Sequence, residues 1–372
     1  MEQVRILHIV PNMQSGGLET FIMNLYRNID RTKIQFDFLV HYKERKFYDD
    51  EIEKLGGKIY RFSLRNDNNI FKYVKELDKF FKEHKEYKIL HCHMASIGFL
   101  AFFIARRNGV KVRISHSHNS ATDKTIKGRI KRILMLPYKY VTTLNFACST
   151  LAGKYLYGKK EFEVIPNAIE VDRFKFNEKS RWEIRDNLSI TEDIFLIGHI
   201  GRFNIQKNHD FLINIFNEYH RKNKKSKLLL IGDGELKDKI IQKVNDLQLS
   251  DDVIFTGNVK NVNDYYNAMD VFVLPSLFEG LPVVGVEAQA NGLPFIVSDK
   301  VSNELNLSEK VNYLELDIPK WVKKLEEINH SCVDRLCNFE KLSQSEYNAK
   351  KQAECLQIKY TKLMKEKKEN ES

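Results

Sequence analysis

No uninterrupted run of about 18 apolar residues occurs in this 372-residue chain, and no basic segment leads into an apolar core at its start. Met1-Glu2-Gln3-Val4-Arg5 passes directly into a strand-like Ile6–Val10, so a cytoplasmic protein without a membrane span is expected. Cysteine is scarce: Cys92, Cys148, Cys332, Cys337 and Cys355 are odd in number and scattered, with no Cys-x-x-Cys pair, which argues against a disulfide framework or a zinc site. Gly-x-Gly-x-x-Gly is missing, and no acid ends the second strand, so nicotinamide chemistry loses ground. No Asp-x-Asp stands at a strand end to hold a diphosphate through a metal. Internal repeats are absent, and low complexity is confined to the charged tail Lys365–Ser372.

What is present is enough for two domains: 372 residues with 42% hydrophobic content. The net charge of +10 is unevenly placed, +13 over residues 1–165 and −3 over 166–372. Within 91–141 ten basic residues face one acid, Asp123, a balance that suits an anionic membrane surface, a nucleic acid or a phosphorylated ligand. Strand-like and helix-like segments alternate through both halves, which predicts an α/β protein of two doubly wound, Rossmann-like domains with parallel sheets. The expected domains are 1–168 and 190–344, joined by a polar stretch, Glu170–Ser189, without clear periodicity. A cleft between them, at the carboxyl ends of the strands, is the expected site.

The stretch around which the rest is arranged follows the strand-like Asp270–Pro275. Phe278-Glu279-Gly280-Leu281-Pro282-Val283-Val284-Gly285-Val286-Glu287-Ala288 reads as a loop entering a helix, with Pro282 at its first position and Gly292 just past its end. Glu279 then lies in the loop and Glu287 in the second turn, with free amide N–H groups between them, an arrangement suited to a polyol attached to a phosphate. Taken alone, the two acids also fit a dipole-favoured cap and a solvated surface residue. Neighbouring strand ends weigh against that. Gly201-Arg202 and Lys207-Asn208 offer a bidentate and a point cation to one diphosphate, and Gly232-Asp233-Gly234-Glu235 lets backbone approach a ligand. In the first half, Gly16-Gly17 opens a helix after the first strand, either as a close-approach loop or as a plain tight turn.

His91 and His93 end one strand, His116 and His118 the next. Alternating histidines can ligate a metal, but with no acid nearby they read as packing or substrate-facing residues. Lys124–Tyr140 carries Ile126, Ile130, Ile133 and Leu134 at helical spacing with basic residues elsewhere, a basic amphipathic helix for either an anionic bilayer or the domain's own core. Aromatic interleaving of the base-stacking kind is sparse, so no nucleic-acid partner is expected.

Together these residues resemble the retaining glycosyltransferases of family 4, with the GT-B fold of two Rossmann-like domains. The resemblance covers most of the chain: Gly16-Gly17, His118, Val164-Ile165-Pro166-Asn167-Ala168, Gly201-Arg202 with Lys207-Asn208, Gly232–Glu235, and Glu279 and Glu287 with seven residues between them. Ser115–Asn119 and the ending Tyr347-Asn348…Tyr360 look most like bacterial capsular and exopolysaccharide enzymes. The resemblance implies that Arg202 and Lys207 hold the donor diphosphate, Glu287 the ribose, Glu279 the transferred sugar, Gly16 and Gly17 the phosphate–sugar region, and His118 the sugar at the acceptor face. It implies catalytic roles for Glu279, His118, Arg202 and Lys207. Gly232, Leu281, Pro282, Val283 and the backbone at Val259 complete the expected donor site, and a helix over about 345–366 crosses back to the first domain.

A departing diphosphate gathers negative charge, so fixed cations and a helix N-terminus can replace a metal, and no cofactor is expected. The expected reaction moves a hexose-type sugar from a nucleotide diphosphate sugar, UDP-linked, to a saccharide acceptor on a polyprenyl diphosphate. It retains configuration, with a diphosphate oxygen as base, at the inner membrane face reached through 91–141. Alternatives are another GT-B enzyme, such as a phosphorylase or a nucleotide-sugar epimerase, or a non-catalytic glycan- or nucleotide-sugar-binding partner. One departure from the family pattern is that Lys300–Asn312, where a glycine-rich rim is usual, contains no glycine.

Overall fold

The computed structural model describes residues 3–14, 16–62, 67, 69–118, 132–136, 138–308, 310–331, 334–336 and 339–369. They form two compact units, Met1–Ala168 with Ala349–Ser372, and Ile169–Asn348.

In the first unit the strands are β1 Val4–Ile9, β2 Ile34–Val40, β3 Ile59–Arg61, β4 Ile89–Cys92, β5 Val112–Ser117, β6 Leu144–Ala147 and β7 Glu163–Val164. They form one parallel sheet in the order β3-β2-β1-β4-β5-β6-β7. All seven residues of β2 are buried, because crossover helices cover both faces of a parallel sheet. On one face Ile6, Val10, Phe36 and Phe38 pack against Phe21, Leu25 and Tyr26 of the Gly17–Asn28 helix. The C-terminal helix, Ala349–Glu369, lies on the same face through Ala353, Leu356 and Tyr360. On the other face Leu7, Ile9 and Leu90 meet Tyr73, Leu77 and Phe81 of the Ile70–Glu83 helix and Ala101 and Phe102 of the Gly98–Arg107 helix.

The second unit has β8 Phe195–Ile200, β9 Ser226–Ile231, β10 Val253–Gly257, β11 Val271–Leu274, β12 Phe295–Ser298 and β13 Val311–Leu314. Their order is β10-β9-β8-β11-β12-β13, again all parallel. Strand order reverses between β1 and β4 in one unit and between β8 and β11 in the other. Beyond the carboxyl ends of such a pair lies the ligand crevice of a doubly wound sheet.

The structure differs from the sequence reading in two places, and leaves a third largely undescribed. The polar stretch 170–189 contains a helix, Glu178–Asn187, capped by the Asn177 side chain on the Ser180 amide at 3.0 Å. What fastens it is the buried Arg185 on the Ala268 carbonyl and Asp270, not an apolar stripe, so no period showed. Pro282 caps the Val283–Ala290 helix instead of occupying its first position, since its ψ of 120° is still extended. Most of Lys124–Tyr140 falls outside the described residues; Tyr138–Val141 is helical.

Candidate active site

The two loops that leave β8 and β11 meet. After β8, Gly201 leaves little room for a side chain, since a Cβ there would stand 3.1 Å from the Lys207 side chain and 3.0 Å from His199 Nε2. The loop then folds on itself, with the Lys207 amide on Asn204 Oδ1 at 3.0 Å. Asn208 takes a left-handed turn, φ 57°, into the His209–Lys222 helix and donates through Nδ2 to the Pro275 carbonyl at 3.1 Å. From the other side, Leu277 N donates to the Gln206 carbonyl and Gln206 Nε2 to the Phe278 carbonyl, both at 2.9 Å.

These bonds hold Lys207 Nζ 2.6 Å from Glu279 Oε1, with the two side chains 15% and 9% exposed. The buried Ser276 donates its hydroxyl to the same oxygen at 2.7 Å. The glycine-free segment after Ser298 fastens the backbone: Val301 bridges Glu279, and the Ser302 amide donates to the Glu279 carbonyl at 3.2 Å. This glycine-free segment is thus a strap on the Glu279 backbone.

The helix entered from this loop is almost wholly apolar and ends at Gly292, whose φ of +74° and closeness to the Arg335 carbonyl, 1.9 Å from any Cβ, admit only glycine. Glu287 is partly buried in its second turn. Desolvation lifts its carboxyl to about 7, opposed by the Tyr266 hydroxyl, which donates to Oε2 at 2.8 Å, and by the charges of Arg173 and Lys207.

Other predicted residues fall differently. Arg202 is exposed and paired with Glu235 of the glycine loop at 3.1 Å, so it does not join the Lys207–Glu279 cluster. Gly232, φ +135°, lets its loop pass Gly201, since a Cβ would lie 2.2 Å from the Gly201 carbonyl oxygen. Leu281, Val283 and Val259 turn their side chains into the unit's core, leaving backbone as their means of contact. In the first unit, Gly16 caps the Gly17–Asn28 helix in extended conformation, where a Cβ would come within 2.5 Å of Glu19 Oε2; around Gly17 there is open space. His118, just past β5, packs on Phe21 of that helix and on His93 and His116. Sequence reasoning missed Ser276 and Tyr266 as partners of the two glutamates. Ser276 stands three residues before Glu279, a legible spacing, whereas nothing marks Tyr266, 21 residues from Glu287.

Two Rossmann-like parallel-sheet units, with a cation, a carboxylate and a helix N-terminus assembled at the switch point of the second, define the GT-B class of glycosyltransferase folds. Residues 15–173 match the family Glycosyltransferase Family 4, and 180–312 match Glycosyl transferases group 1. EpsF of Bacillus subtilis (strain 168), whose name assigns it to the glycosyltransferases, is 36% identical over 314 residues, covering 82% of this chain and 81% of its own. The capsular polysaccharide biosynthesis glycosyltransferase CapH of Staphylococcus aureus is 25% identical across 87% of this chain and 90% of its own. An Escherichia coli UDP-Gal:alpha-D-GlcNAc-diphosphoundecaprenol alpha-1,3-galactosyltransferase is 27% identical across 71% and 72%. Among solved structures, Anabaena Alr3699/HepE in complex with UDP and glucose superposes with a TM-score of 0.75 at 17% identity, over 98% of this chain and 99% of that one. The chain belongs to the family-4 glycosyltransferases, and one of these relatives, CapH, is named for capsular polysaccharide biosynthesis.

Proposed function

We propose that this glycosyltransferase moves a hexose-type sugar, with retention and without a metal, from a UDP-linked donor to a lipid-linked saccharide in capsular or exopolysaccharide biosynthesis. The observation that carries the reading is the Lys207–Glu279 pair beside the entrance of the Val283–Ala290 helix. Lys207 and the helix amides stabilise charge growing on the leaving diphosphate, and Arg202 exchanges Glu235 for the same group. Both donors to Glu279 meet its Oε1, so Oε2, without a partner among the described residues, accepts from a sugar hydroxyl. Glu287, ionised, takes the ribose hydroxyls. Gly16 and Gly17 admit the phosphate–sugar region, and His118 meets the sugar. A diphosphate oxygen removes the acceptor's proton as the new bond forms on the face the leaving group vacates.

Two relatives support the substrates: the E. coli enzyme is named for UDP-Gal and a diphosphoundecaprenol acceptor, and the Anabaena protein was solved with UDP and glucose. A peripheral membrane position is supported by Phe103, Ile133, Leu136 and Tyr140, all exposed; Phe103 shares a helix with Arg106 and Arg107, and Arg106 donates to the Tyr140 carbonyl at 3.3 Å. Among the described residues no helix is long and apolar enough to cross a membrane. The test is sugar transfer from a panel of nucleotide sugars to lipid-linked saccharides by the wild type and by Glu279→Ala. Transfer unchanged in the variant contradicts the assignment. Nucleoside diphosphate released at the same rate without acceptor points to another GT-B chemistry.

A further inference from the structure

Three neighbouring strands of the second unit end in a floor of bare backbone. Gly201 follows β8, Gly232 follows β9 and Gly257 closes β10. The hydrogen bonding of the sheet runs on through them, the Gly201 amide donating to the Ile231 carbonyl at 3.0 Å and the Gly232 amide to the Gly257 carbonyl at 2.9 Å. Strands lie about 4.8 Å apart, so the floor spans about 10 Å from β8 to β10. A cation stands at either end. The Lys207 side chain lies 3.1 Å from where a Cβ on Gly201 would be, and Lys237 Nζ lies 4.0 Å from where a Cβ on Gly257 would be.

Lys207 has a carboxylate partner in Glu279, and Lys237 has none. Among the described residues the Lys237 ammonium makes no ion pair and no hydrogen bond, although the residue is half-buried. It is also the first residue of the Lys237–Asp246 helix, the end at which the dipole disfavours a cation. Nothing in the fold balances this charge, which leaves it free for a ligand.

The groups already assigned to the nucleotide lead toward it. Lys207 is assigned to the diphosphate at the β8 end of the floor. Glu287, assigned to the ribose, accepts from Tyr266 of the Val262–Ala268 helix, which follows the β10 end. An ammonium only donates. On the edge away from the ribose, uracil presents a carbonyl oxygen, O4, where cytosine presents an amino group. We propose that the base of the donor lies over the Gly232–Gly257 end of the floor and that Lys237 donates to its outer carbonyl oxygen, so that Lys237 selects uridine over cytidine nucleotides. This rests on reading the β8–β11 crevice as the nucleotide-sugar site.

The experiment is calorimetric titration of the full chain with UDP and with CDP at one ionic strength. It compares the wild type with Lys237→Met, which keeps the length of the side chain without its charge, and Lys237→Arg, which keeps a donor. The wild type is expected to bind UDP at least about tenfold more tightly than CDP. Lys237→Met is expected to lose about tenfold for UDP and nothing for CDP, and Lys237→Arg to keep most of the preference. Should Lys237→Met not fold, the wild-type preference and its retention in Lys237→Arg still decide. UDP and CDP weakened alike in Lys237→Met, which would put the ammonium at the phosphates, UDP binding indifferent to Lys237, or a wild type that does not tell UDP from CDP overturns the proposal. A wild type that binds neither nucleotide overturns the reading of the crevice itself. UDP binding weakened in Lys207→Ala and kept in Lys237→Met leaves that reading standing and overturns only the role of Lys237.

Discussion

Lys207 and Glu279 share a 2.6 Å contact although they come from loops 72 residues apart, and that contact joins the groups assigned to the diphosphate and to the sugar. Removing either leaves a largely buried charge without its partner. Lys207→Ala and Glu279→Ala are each expected to lower kcat about 100-fold, and the double variant to lose clearly less than the product, because the two act as a unit. Steady-state kinetics on the four proteins of the cycle checks this. Ser276→Ala, which removes one of two donors to Glu279, is expected to cost about tenfold in kcat with little change in donor affinity. Glu287 supplies a pH dependence. Its folded-state value of about 7 stands above the ordinary carboxyl range, so the folded chain prefers it protonated, and that preference weakens stability as pH rises toward and through 7. Ribose hydroxyls donate to the ionised form, so nucleotide affinity is expected to fall as pH drops through about 7. Tyr266→Phe removes a bond that favours the ionised form and should move that midpoint to higher pH, as calorimetric titration against pH would show.

At the scale of elements, β1, β4 and β5 carry His8, His91, His93, His116 and His118 into the face beneath the Gly17–Asn28 and Ala349–Glu369 helices. Burial lowers His8 and His118 to about 3, and His91, His93 and His116 well below the ordinary value of 6.5. The unfolded chain takes up protons from about pH 6.5 downward while the folded unit does not, so stability is lost as pH falls from there toward 3. Denaturant unfolding between about pH 7 and 5 should show that loss, and His116→Leu should make it shallower. The C-terminal helix is fastened at the same place, through the Tyr360 hydroxyl 2.6 Å from His91 Nδ1. Tyr360→Ala should lower the stability of the first unit by about 3–5 kcal/mol, measured as a shift of the denaturation midpoint. Strands such as Val271–Leu274 and Phe295–Ser298 were legible because a parallel strand buried on both faces reads as an apolar run. The Glu178–Asn187 helix was not, because guanidinium-to-carbonyl bonds anchor it. Within the site, Glu279, Lys207 and Glu287 could be read from residue type and strand-end position. Arg202's attachment to Glu235 could not, since it depends on which loop passes which.

At the scale of the molecule, the basic surplus of the first half and the slightly acidic second half fit the proposal of different partners for the two halves, a membrane-bound acceptor and a soluble donor. Flotation with anionic vesicles is expected to carry the protein upward at low salt and release it at high salt; Phe103→Asp should weaken flotation without changing donor binding. Calorimetric titration of the full chain with UDP in excess EDTA tests the central claim, that a metal-free nucleotide-sugar site sits at the β8–β11 switch point. The account predicts saturable one-to-one binding that EDTA leaves unchanged and that Lys207→Ala weakens at least about tenfold. Binding that vanishes with EDTA, or that is the same in Lys207→Ala, would contradict it.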